Sequence, residues 1–133
     1  MTPRRLLDSH AALVYLKGEK GANKVKAALA AATKTATPLL MSEINIGEVC
    51  YIVLRAGLAS NLEEFLSLFL SLPIQPIPVD FELIKEAARI KSSHALSYAD
   101  AIAVATAIRA GAAVITGDPE FKSVASRLTI DWI

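Results

Sequence analysis

The sequence predicts an α/β protein with a mainly parallel sheet and helices on both of its faces. Short apolar runs of strand length alternate along the chain with Ala-rich or amphipathic runs of helix length. That alternation is typical of parallel strands joined by crossover helices. The chain has 133 residues and is 53% hydrophobic, enough to bury a sizeable core. We expect residues 1–133 to form one domain.

The first half of the chain predicts two strands, each followed by helix. Val25 and Leu29 stand four residues apart and share one helix face. Ser42 is a helix cap, whereas Gly18 and Gly57 are helix ends. The predicted elements are a strand at 5–7, helices at 9–16 and 22–32, a strand at 37–41 and a helix from 43 to about 56.

The second half continues the same alternation. Asn61 opens a helix that Pro73 stops, and Ser97 opens another that ends at Gly111. The stretch around Pro76 is predicted to be extended. The predicted elements are helices at 62–70, 81–91 and 97–110, an extended segment at 73–78, a strand at 113–116, a turn at 117–119 and a final strand at 129–133.

Composition excludes several classes of protein. The single cysteine, Cys50, excludes an intramolecular disulfide and any site built from several thiolates, and it suits a reducing cytosol. Cys50 lies in an apolar stretch, which predicts a buried packing residue. A net charge of +1 is low for a non-specific nucleic-acid binder, so any contact with RNA or DNA requires local patches and a metal.

Neither a signal peptide nor a membrane span is expected. Asp8, Ser9 and His10 interrupt the first apolar run almost at once. The later apolar segments, 65–72 and 101–115, are too short or carry a charge. We therefore expect a cytoplasmic protein that does not associate with membranes.

Four carboxylates stand where an apolar strand ends or the following helix begins: Asp8, Glu48, Asp100 and Asp118. In an open α/β sheet these points lie along one edge, so acids far apart in sequence converge there. Clustered carboxylates repel one another unless a cation lies between them, and oxygen ligands favour Mg²⁺ or Mn²⁺. The pattern predicts a metal centre for chemistry on phosphate.

Each of these acids also has an ordinary structural explanation. Asp8 and Asp118 are typical helix caps, and Asp100 stands three residues after Ser97, the spacing of a capping box. Glu48 is harder to explain, because its helix is almost wholly apolar and we expect it to be buried. A carboxylate in such a helix requires a partner, which a metal would provide.

With these residues in place, the chain resembles the PIN-domain nucleases, specifically the VapC-type toxins of bacterial and archaeal toxin–antitoxin pairs. Any one of the matching segments is a weak signal, whereas all of them in order are a strong one. They are Leu6-Leu7-Asp8-Ser9, Ser42-Glu43-Ile44-Asn45-Ile46-Gly47-Glu48-Val49, Ser97-Tyr98-Ala99-Asp100-Ala101, Val114-Ile115-Thr116-Gly117-Asp118-Pro119-Glu120-Phe121 and the closing Ile130-Asp131-Trp132-Ile133.

The resemblance implies a three-layer α/β/α sandwich and divalent-metal-dependent cleavage of RNA. It also implies a homodimer and inhibition by a cognate antitoxin protein. Asp8, Asp100 and Asp118, with Glu48 nearby, would hold one or two Mg²⁺ or Mn²⁺ ions. All four acids are present, so nothing suggests an inactive member of the family.

Four further residues are candidates for supporting roles. Ser9 and Thr116 could orient carboxylates or water beside the metal. Lys85 and Arg89, four residues apart on one predicted helix, could contact RNA phosphates. Ordinary explanations compete with both ideas: hydroxyls cap helices and end strands, and charge runs usually form solvated faces.

Two other functions remain open from the sequence. One is a non-catalytic interaction module, whose acids only cap helices. The other is a phosphotransfer domain that forms an aspartyl-phosphate on Asp8. The helices at 44–58 and 62–72 also carry more apolar residues than two water-facing helices need, which predicts self-association and an antitoxin-binding groove there.

Overall fold

The computed structural model describes residues 4–133; the expectation of no signal peptide rests partly on residues 1–3, which lie outside them. Strands and helices alternate as expected. In chain order they are β1 (Arg5–Leu7), α1 (Ser9–Lys17), α2 (Ala22–Thr35), β2 (Leu39–Ser42), α3 (Glu43–Arg55), α4 (Leu62–Phe69), β3 (Ile74–Ile77), α5 (Phe81–Ser93), α6 (Tyr98–Ala110), β4 (Ala113–Thr116), a 3₁₀ helix (Pro119–Val124) and β5 (Ile130–Trp132).

The strands form one five-stranded sheet in the order β3-β2-β1-β4-β5. Every pairing between neighbours is parallel; Leu6 of β1, for example, pairs with Leu40 of β2 on one side and Val114 of β4 on the other. Because β2 and β4 lie on opposite sides of β1, the winding direction of the chain reverses between β1 and β4. Ligands of open parallel sheets bind at such a reversal, beyond the carboxyl ends of the strands.

Helices cover both faces of the sheet, which confirms the predicted fold class and its three layers. Successive strand residues point to opposite faces. Leu6 therefore packs with α5, α6 and the 3₁₀ helix, whereas Leu7 packs with α1, α2, α3 and α4. Of the helices, α6 is the most deeply covered, since every residue from Asp100 to Ala107 is buried.

Helix and strand ends differ from the sequence prediction by a few residues. The largest difference is in α2, which continues to Thr35 because its C-terminal cap is Ala36 at a φ of 53°. A left-handed cap is normally glycine, so the sequence contains no signal for this end. The predicted turn at 117–119 leads into a 3₁₀ helix that was not predicted, with Pro119 at its start.

Two expectations about composition can be checked in the structure. Cys50 is buried among apolar side chains of α1, α2 and α3 and is a packing residue, as predicted. Burial raises the pKa of its thiol, which makes it a poor nucleophile at neutral pH. Within the described part of the chain, no helix has the length and hydrophobicity that crossing a bilayer requires.

Candidate metal centre

The centre is built at the point where the winding of the sheet reverses. Asp8 directly follows β1, and Asp118 follows β4 by two residues. The backbone N–H of Asp8 still donates to the carbonyl of Ile115 on β4, at 3.4 Å, so the ends of the two strands are held side by side. Asp100 lies in the first turn of α6 and Glu48 in the second turn of α3, two helices that contact each other.

Asp8 is fully buried, and only one of its two carboxylate oxygens has a hydrogen-bond partner in the described chain. Its Oδ1 accepts a hydrogen bond from the Ala11 N–H at 2.8 Å, so the predicted helix-capping role is real. Its Oδ2 is also buried but has no hydrogen-bond partner among residues 4–133. A buried carboxylate oxygen without a partner carries a large desolvation cost. One oxygen therefore caps α1, and the other is available to a ligand.

Burial raises the pKa of Asp8 to about 7. The Thr116 hydroxyl, which lies near this carboxyl but outside hydrogen-bonding geometry, and the Ala11 N–H offset part of this rise, whereas the charges of Asp118 and Glu48 add to it. A carboxylic acid with this pKa is only partly ionised at neutral pH, and a bound cation would favour its ionised form. The cause of the shift is thus mainly the dry surroundings, with the neighbouring acids second.

Asp100 differs from its predicted capping-box role. The Ser97 Oγ accepts from the Asp100 N–H at 3.2 Å, which is half of a capping box. The return bond does not come from Asp100: the Ser97 N–H donates at 3.3 Å to Oε2 of Glu120, 23 residues further along the chain. The Asp100 carboxylate therefore does not cap the helix, so capping does not explain why an acid stands at this position.

Burial also raises the pKa of Asp100 to about 7, and the charges of Asp118 and Asp8 contribute to the rise. The Ser97 hydroxyl lowers it, and the Glu120 carboxyl raises it slightly. Asp8, Asp100 and Asp118 thus influence one another electrostatically although they come from three different elements. Their proximity is a result of the tertiary fold.

Asp118 is partly buried and, like Asp8, has one oxygen in a cap. Its Oδ1 accepts from the Glu120 N–H at 2.9 Å, at the start of the 3₁₀ helix. Thr116 is fully buried, and its Oγ1 accepts from the Asp118 N–H at 3.0 Å. Thr116 therefore fixes the loop that carries Asp118, which agrees with the strand-end role considered for it.

The sequence predicted that Glu48 is buried, but in the structure it is half-exposed. Its Oε1 accepts from the Ser9 Oγ and from the Asn45 Nδ2, both at 2.9 Å. The prediction failed because α3 is buried along one side only, and even its apolar residues Ile44, Tyr51 and Leu54 are exposed. The bond from Ser9 is compatible with the carboxylate-orienting role considered for it, which stays a prediction.

Asn45 and Glu120 are two site residues that the sequence analysis missed. Asn45 is fully buried, and its Nδ2 also lies 3.4 Å from the Ala99 carbonyl on α6, so it links α3 to the helix that carries Asp100. The sequence feature that could have identified Asn45 is its position: it is a polar amide in a largely apolar helix, about one turn before Glu48. Glu120 offers a carboxylate oxygen in a group with Asp100 and Asp118 whose ligand atoms all lie within 4.8 Å of one another.

His10 lies beside the site and packs against the loop after β4. It is exposed, and its ring lies against Gly117. A Cβ at position 117 would approach the His10 Cε1 to 2.8 Å, closer than real Cβ contacts, so a larger residue here would require the exposed His10 ring to move. The contact holds the start of α1 against the loop that leads to Asp118.

Lys85 and Arg89 lie on α5 and each is paired with an acid of the same helix. The Lys85 ammonium is 2.8 Å from Glu82, and Arg89 pairs with Glu86. All four side chains are substantially exposed. This arrangement is that of the solvated charged face considered as the alternative, and a role in phosphate binding remains a prediction.

The residues present fit a hard divalent cation. Such ions take oxygen ligands, and Mg²⁺ is normally held by a few carboxylates together with water. Here the donors are carboxylates only, and Oδ2 of Asp8 is a buried acceptor without a partner in the described chain. A cation would satisfy this oxygen and replace the protons that Asp8 and Asp100 otherwise bind.

Comparison with known proteins agrees with this geometry. The sequence matches the model of the PIN domain family over residues 5–127. The chain belongs to the PIN domain family. This confirms the family resemblance inferred from the four acidic motifs. No curated protein sequence matches the chain.

Solved structures share the PIN fold at low sequence identity. A VapBC complex bound to DNA from Salmonella typhimurium has a TM-score of 0.73 at 14% identity, covering 98% of each chain. VapBC2 of Rickettsia felis, bound to a DNA fragment from its promoter, has a TM-score of 0.72 at 16% identity, covering 97% of this chain and 98% of that one. The sarcin–ricin loop cleaving toxin VapC20 of Mycobacterium tuberculosis has a TM-score of 0.69 at 17% identity, covering 94% and 96%.

Proposed function

We propose that this PIN domain is a metal-dependent endoribonuclease, the toxin of a VapBC-type toxin–antitoxin pair. The observation that carries the proposal is Asp8, a fully buried acid with one unpartnered oxygen and with Asp100 and Asp118 close enough to interact electrostatically. A protein that used these acids only as caps would have no reason to collect them where ionisation is costly.

The chain's own residues have distinct parts in the proposed hydrolysis. Asp8, Asp100 and Asp118 would hold one or two Mg²⁺ or Mn²⁺ ions. When bound, such an ion lowers the pKa of a coordinated water and neutralises charge on the phosphate. Both known bonds to Glu48 fall on Oε1, so its Oε2 is the oxygen that can orient the attacking water. The water oxygen would bond to phosphorus as the bond to a ribose oxygen breaks, and that oxygen would leave as a hydroxyl with the proton that the water gives up.

Support for RNA as substrate and for an antitoxin as partner comes from the structural relatives. One is described as a sarcin–ricin loop cleaving toxin, and others are toxin–antitoxin complexes. Their identities are at most 20%, so these roles are part of the proposal. A toxin of this kind would act in the cytoplasm.

The proposed protein partners fit an apolar surface of α3 and α4. A groove of about 540 Å³ runs between these helices, and its lining is mainly aliphatic. Tyr51, Leu54 and Leu62 line it and are 49%, 38% and 39% exposed. Apolar area of this kind normally marks an interface. We propose that a second copy of the chain and an antitoxin segment cover parts of this surface.

The test of the proposed function is RNA cleavage by the purified protein with and without Mn²⁺, compared with Asp100→Asn. We expect cleavage only with metal, and a loss of at least about 100-fold in the variant, because the amide keeps the shape but removes the charge. The Asp100 N–H, which bonds Ser97, is unchanged, so the fold should survive; circular dichroism checks this. Cleavage by a folded Asp100→Asn protein at the wild-type rate would refute the assignment.

The phosphotransfer alternative predicts a covalent aspartyl-phosphate on Asp8, which trapping would reveal. The interaction-module alternative is separated from a nuclease by the metal-dependent cleavage test above.

A further inference from the structure

Positive charge in this chain is concentrated between β1 and β2. Residues 9–42 contain five lysines and one acid, Glu19, so this part has a formal net charge of +4, whereas the whole chain carries +1. The other residues hold nine cationic and twelve acidic side chains and are net negative. A local surplus of this kind attracts polyanions even when the whole protein is nearly neutral. The five lysines, all exposed, are Lys17, Lys20, Lys24, Lys26 and Lys34.

These lysines differ from the cations of α5 in having no acidic partner. Lys85 and Arg89 are each paired with a glutamate one turn away on the same helix, so much of their charge is balanced locally. Within residues 4–133, no lysine of residues 9–42 forms an ion pair. Their charge is therefore available to a ligand.

The turn that joins α1 to α2, here called the lysine turn (residues 17–24), lies at the same edge of the sheet as the metal centre. Ile133 directly follows β5 at that edge. A Cβ at Gly21, in the lysine turn, would lie 3.4 Å from the Ile133 side chain, and one at Gly117 would lie 3.3 Å from it. Because Gly117 precedes Asp118, the Ile133 side chain bridges the loop of the metal centre and the lysine turn.

A hollow of about 330 Å³ lies beside the lysine turn, between α2 and β5. Arg5 and Asp131 line it and pair with each other at 3.0 Å, so their charges balance. Lys24 also lines it, and its Nζ donates to the Trp132 carbonyl at 3.4 Å. An ammonium group has three donors, so two remain for another acceptor. Lys24 is the cation of this hollow whose charge is not balanced within the described chain.

The chemistry of this surface favours a nucleic-acid strand over a protein partner. Protein interfaces are poor in lysine and rich in large apolar side chains, and no large hydrophobic side chain is exposed between residues 9 and 42. The carboxylates of the metal centre repel the phosphates of a nucleic-acid strand, and a bound metal offsets this only near itself. Cations beside the centre are needed to hold the neighbouring phosphates.

We propose that the lysine turn binds the phosphate backbone of the RNA substrate on the β5 side of the metal centre. The inference rests on the proposed nuclease function, and it adds that the strand crosses the turn between α1 and α2 rather than the charged face of α5. Lys17, Lys20 and Lys24 are the phosphate contacts. Lys34 lies outside this surface, because it stands ten residues after Lys24, about 15 Å further along α2.

The test is binding of a short fluorescein-labelled single-stranded RNA of mixed sequence, followed by fluorescence anisotropy in EDTA over a series of salt concentrations. We expect the triple variant Lys17→Ala, Lys20→Ala, Lys24→Ala to lose about tenfold or more in affinity at low salt. The slope of log affinity against log salt should become shallower by about 2, since each phosphate contact on a single strand contributes about 0.7. Lys34→Ala is the matched control and should keep both the affinity and the slope.

A second variant changes the affinity in the opposite direction, which misfolding does not explain. Glu19→Gln removes the acid of the lysine turn and should bind the labelled RNA more tightly than wild type does. Glu63→Gln makes the same change at an exposed position on α4 and should bind as wild type does. A similar gain in both variants would show that net charge, not the lysine turn, sets the affinity, and would overturn the inference.

Three further outcomes decide between the proposals. RNA binding by the triple variant with the affinity and salt slope of wild type overturns the inference, and a loss in the Lys85→Ala, Arg89→Ala variant alone would assign the strand to α5 instead. If the triple variant keeps RNA affinity but no longer binds a poly-glutamate peptide, the turn is a site for an acidic protein, which also overturns it. A wild-type protein that binds RNA through the turn but cleaves none with Mn²⁺ refutes the nuclease function and leaves the RNA-binding surface standing.

Discussion

At the scale of single residues, Asp8 and Asp80 show how one local role produces opposite electrostatics. Both are N-caps whose Oδ1 accepts a backbone N–H at 2.8 Å, from Ala11 and Leu83 respectively. Asp80 is exposed and pairs with both guanidinium nitrogens of Arg109, which lowers its pKa to about 2. Asp8 is buried beside other acids, and its pKa rises to about 7. A capping motif in sequence does not distinguish these two cases.

The raised pKa values of the buried acids predict how the stability of the metal-free protein depends on pH. The folded-state pKa values of Asp8 and Asp100 are raised, so the stability they contribute is complete below their unfolded values near 4 and is lost as the pH rises through about 7. Each group adds a slope of up to about 1.4 kcal/mol per pH unit in that window. Thermal melts in EDTA from about pH 5 to about pH 8 should show Tm falling.

Asp8→Asn and Asp80→Asn are the paired variants for this prediction. Asp8→Asn removes the costly charge but keeps the cap, so at about pH 8 it should be more stable than wild type by about 1–3 kcal/mol, with a flatter pH profile. Asp80→Asn should be less stable than wild type, because its pKa is lowered and its charge favours folding. A Tm in wild type that rises across this window would contradict the assigned pKa shifts.

At the scale of elements, the packing of α3 against α6 positions Glu48. Asn45 donates to Glu48 within α3 and approaches the Ala99 carbonyl on α6. Because the Glu48 carboxylate already accepts bonds from Ser9 and Asn45, it does not carry the cost of an isolated buried charge. The costly acid of the centre is Asp8, not Glu48 as the sequence suggested.

We predict that Asn45→Ala lowers RNA cleavage more than it lowers stability. The variant loses a buried hydrogen-bonding side chain, which costs about 1–2 kcal/mol, and it frees Glu48 to leave its position, which should reduce cleavage by about tenfold or more. Asn61→Ala is the control: it removes the cap of α4, costs a similar free energy, and should cleave RNA as wild type does. Equal activities of the two variants would show that Asn45 has no part in positioning Glu48.

At the scale of the whole molecule, the apolar surface of α3 and α4 is the feature that a single chain does not explain. The groove there is about 540 Å³, and exposed aliphatic side chains continue beyond it along α4, including Leu68 at 67% exposure. Covering such a surface removes apolar area from water at roughly 25 cal/mol per Å². Self-association is the simplest way for the isolated protein to gain this free energy.

We therefore predict that the protein is a dimer at micromolar concentration and that Leu54→Asp makes it monomeric. Ile108→Asp is the matched control, because Ile108 is 39% exposed on α6 whereas Leu54 is 38% exposed in the groove. Light scattering gives the mass of each variant. A monomeric wild type, or dissociation by Ile108→Asp alone, would refute the proposed interface.

Much of the fold and part of the site follow from short-range signals in the sequence. Apolar runs such as 5–7 and 113–116 are strands in the structure, and Ser42, Asn61 and Ser97 cap the helices they were expected to cap. These signals work because caps and periodicity act over a few residues. The positions of the acids at the strand ends could therefore be predicted from the sequence.

Only the tertiary structure decided which groups share the centre and in what ionisation state. The bond from Ser97 to Glu120 and the approach of Asn45 to Ala99 join residues 23 and 54 positions apart, and no local pattern predicts such pairs. Burial, which separates Asp8 from Asp80, is likewise a property of the packed layers. By itself the sequence determined the elements and the acids at their ends, because those depend on neighbours along the chain. Desolvation and charge coupling depend on neighbours in space, so the folded chain alone determined them.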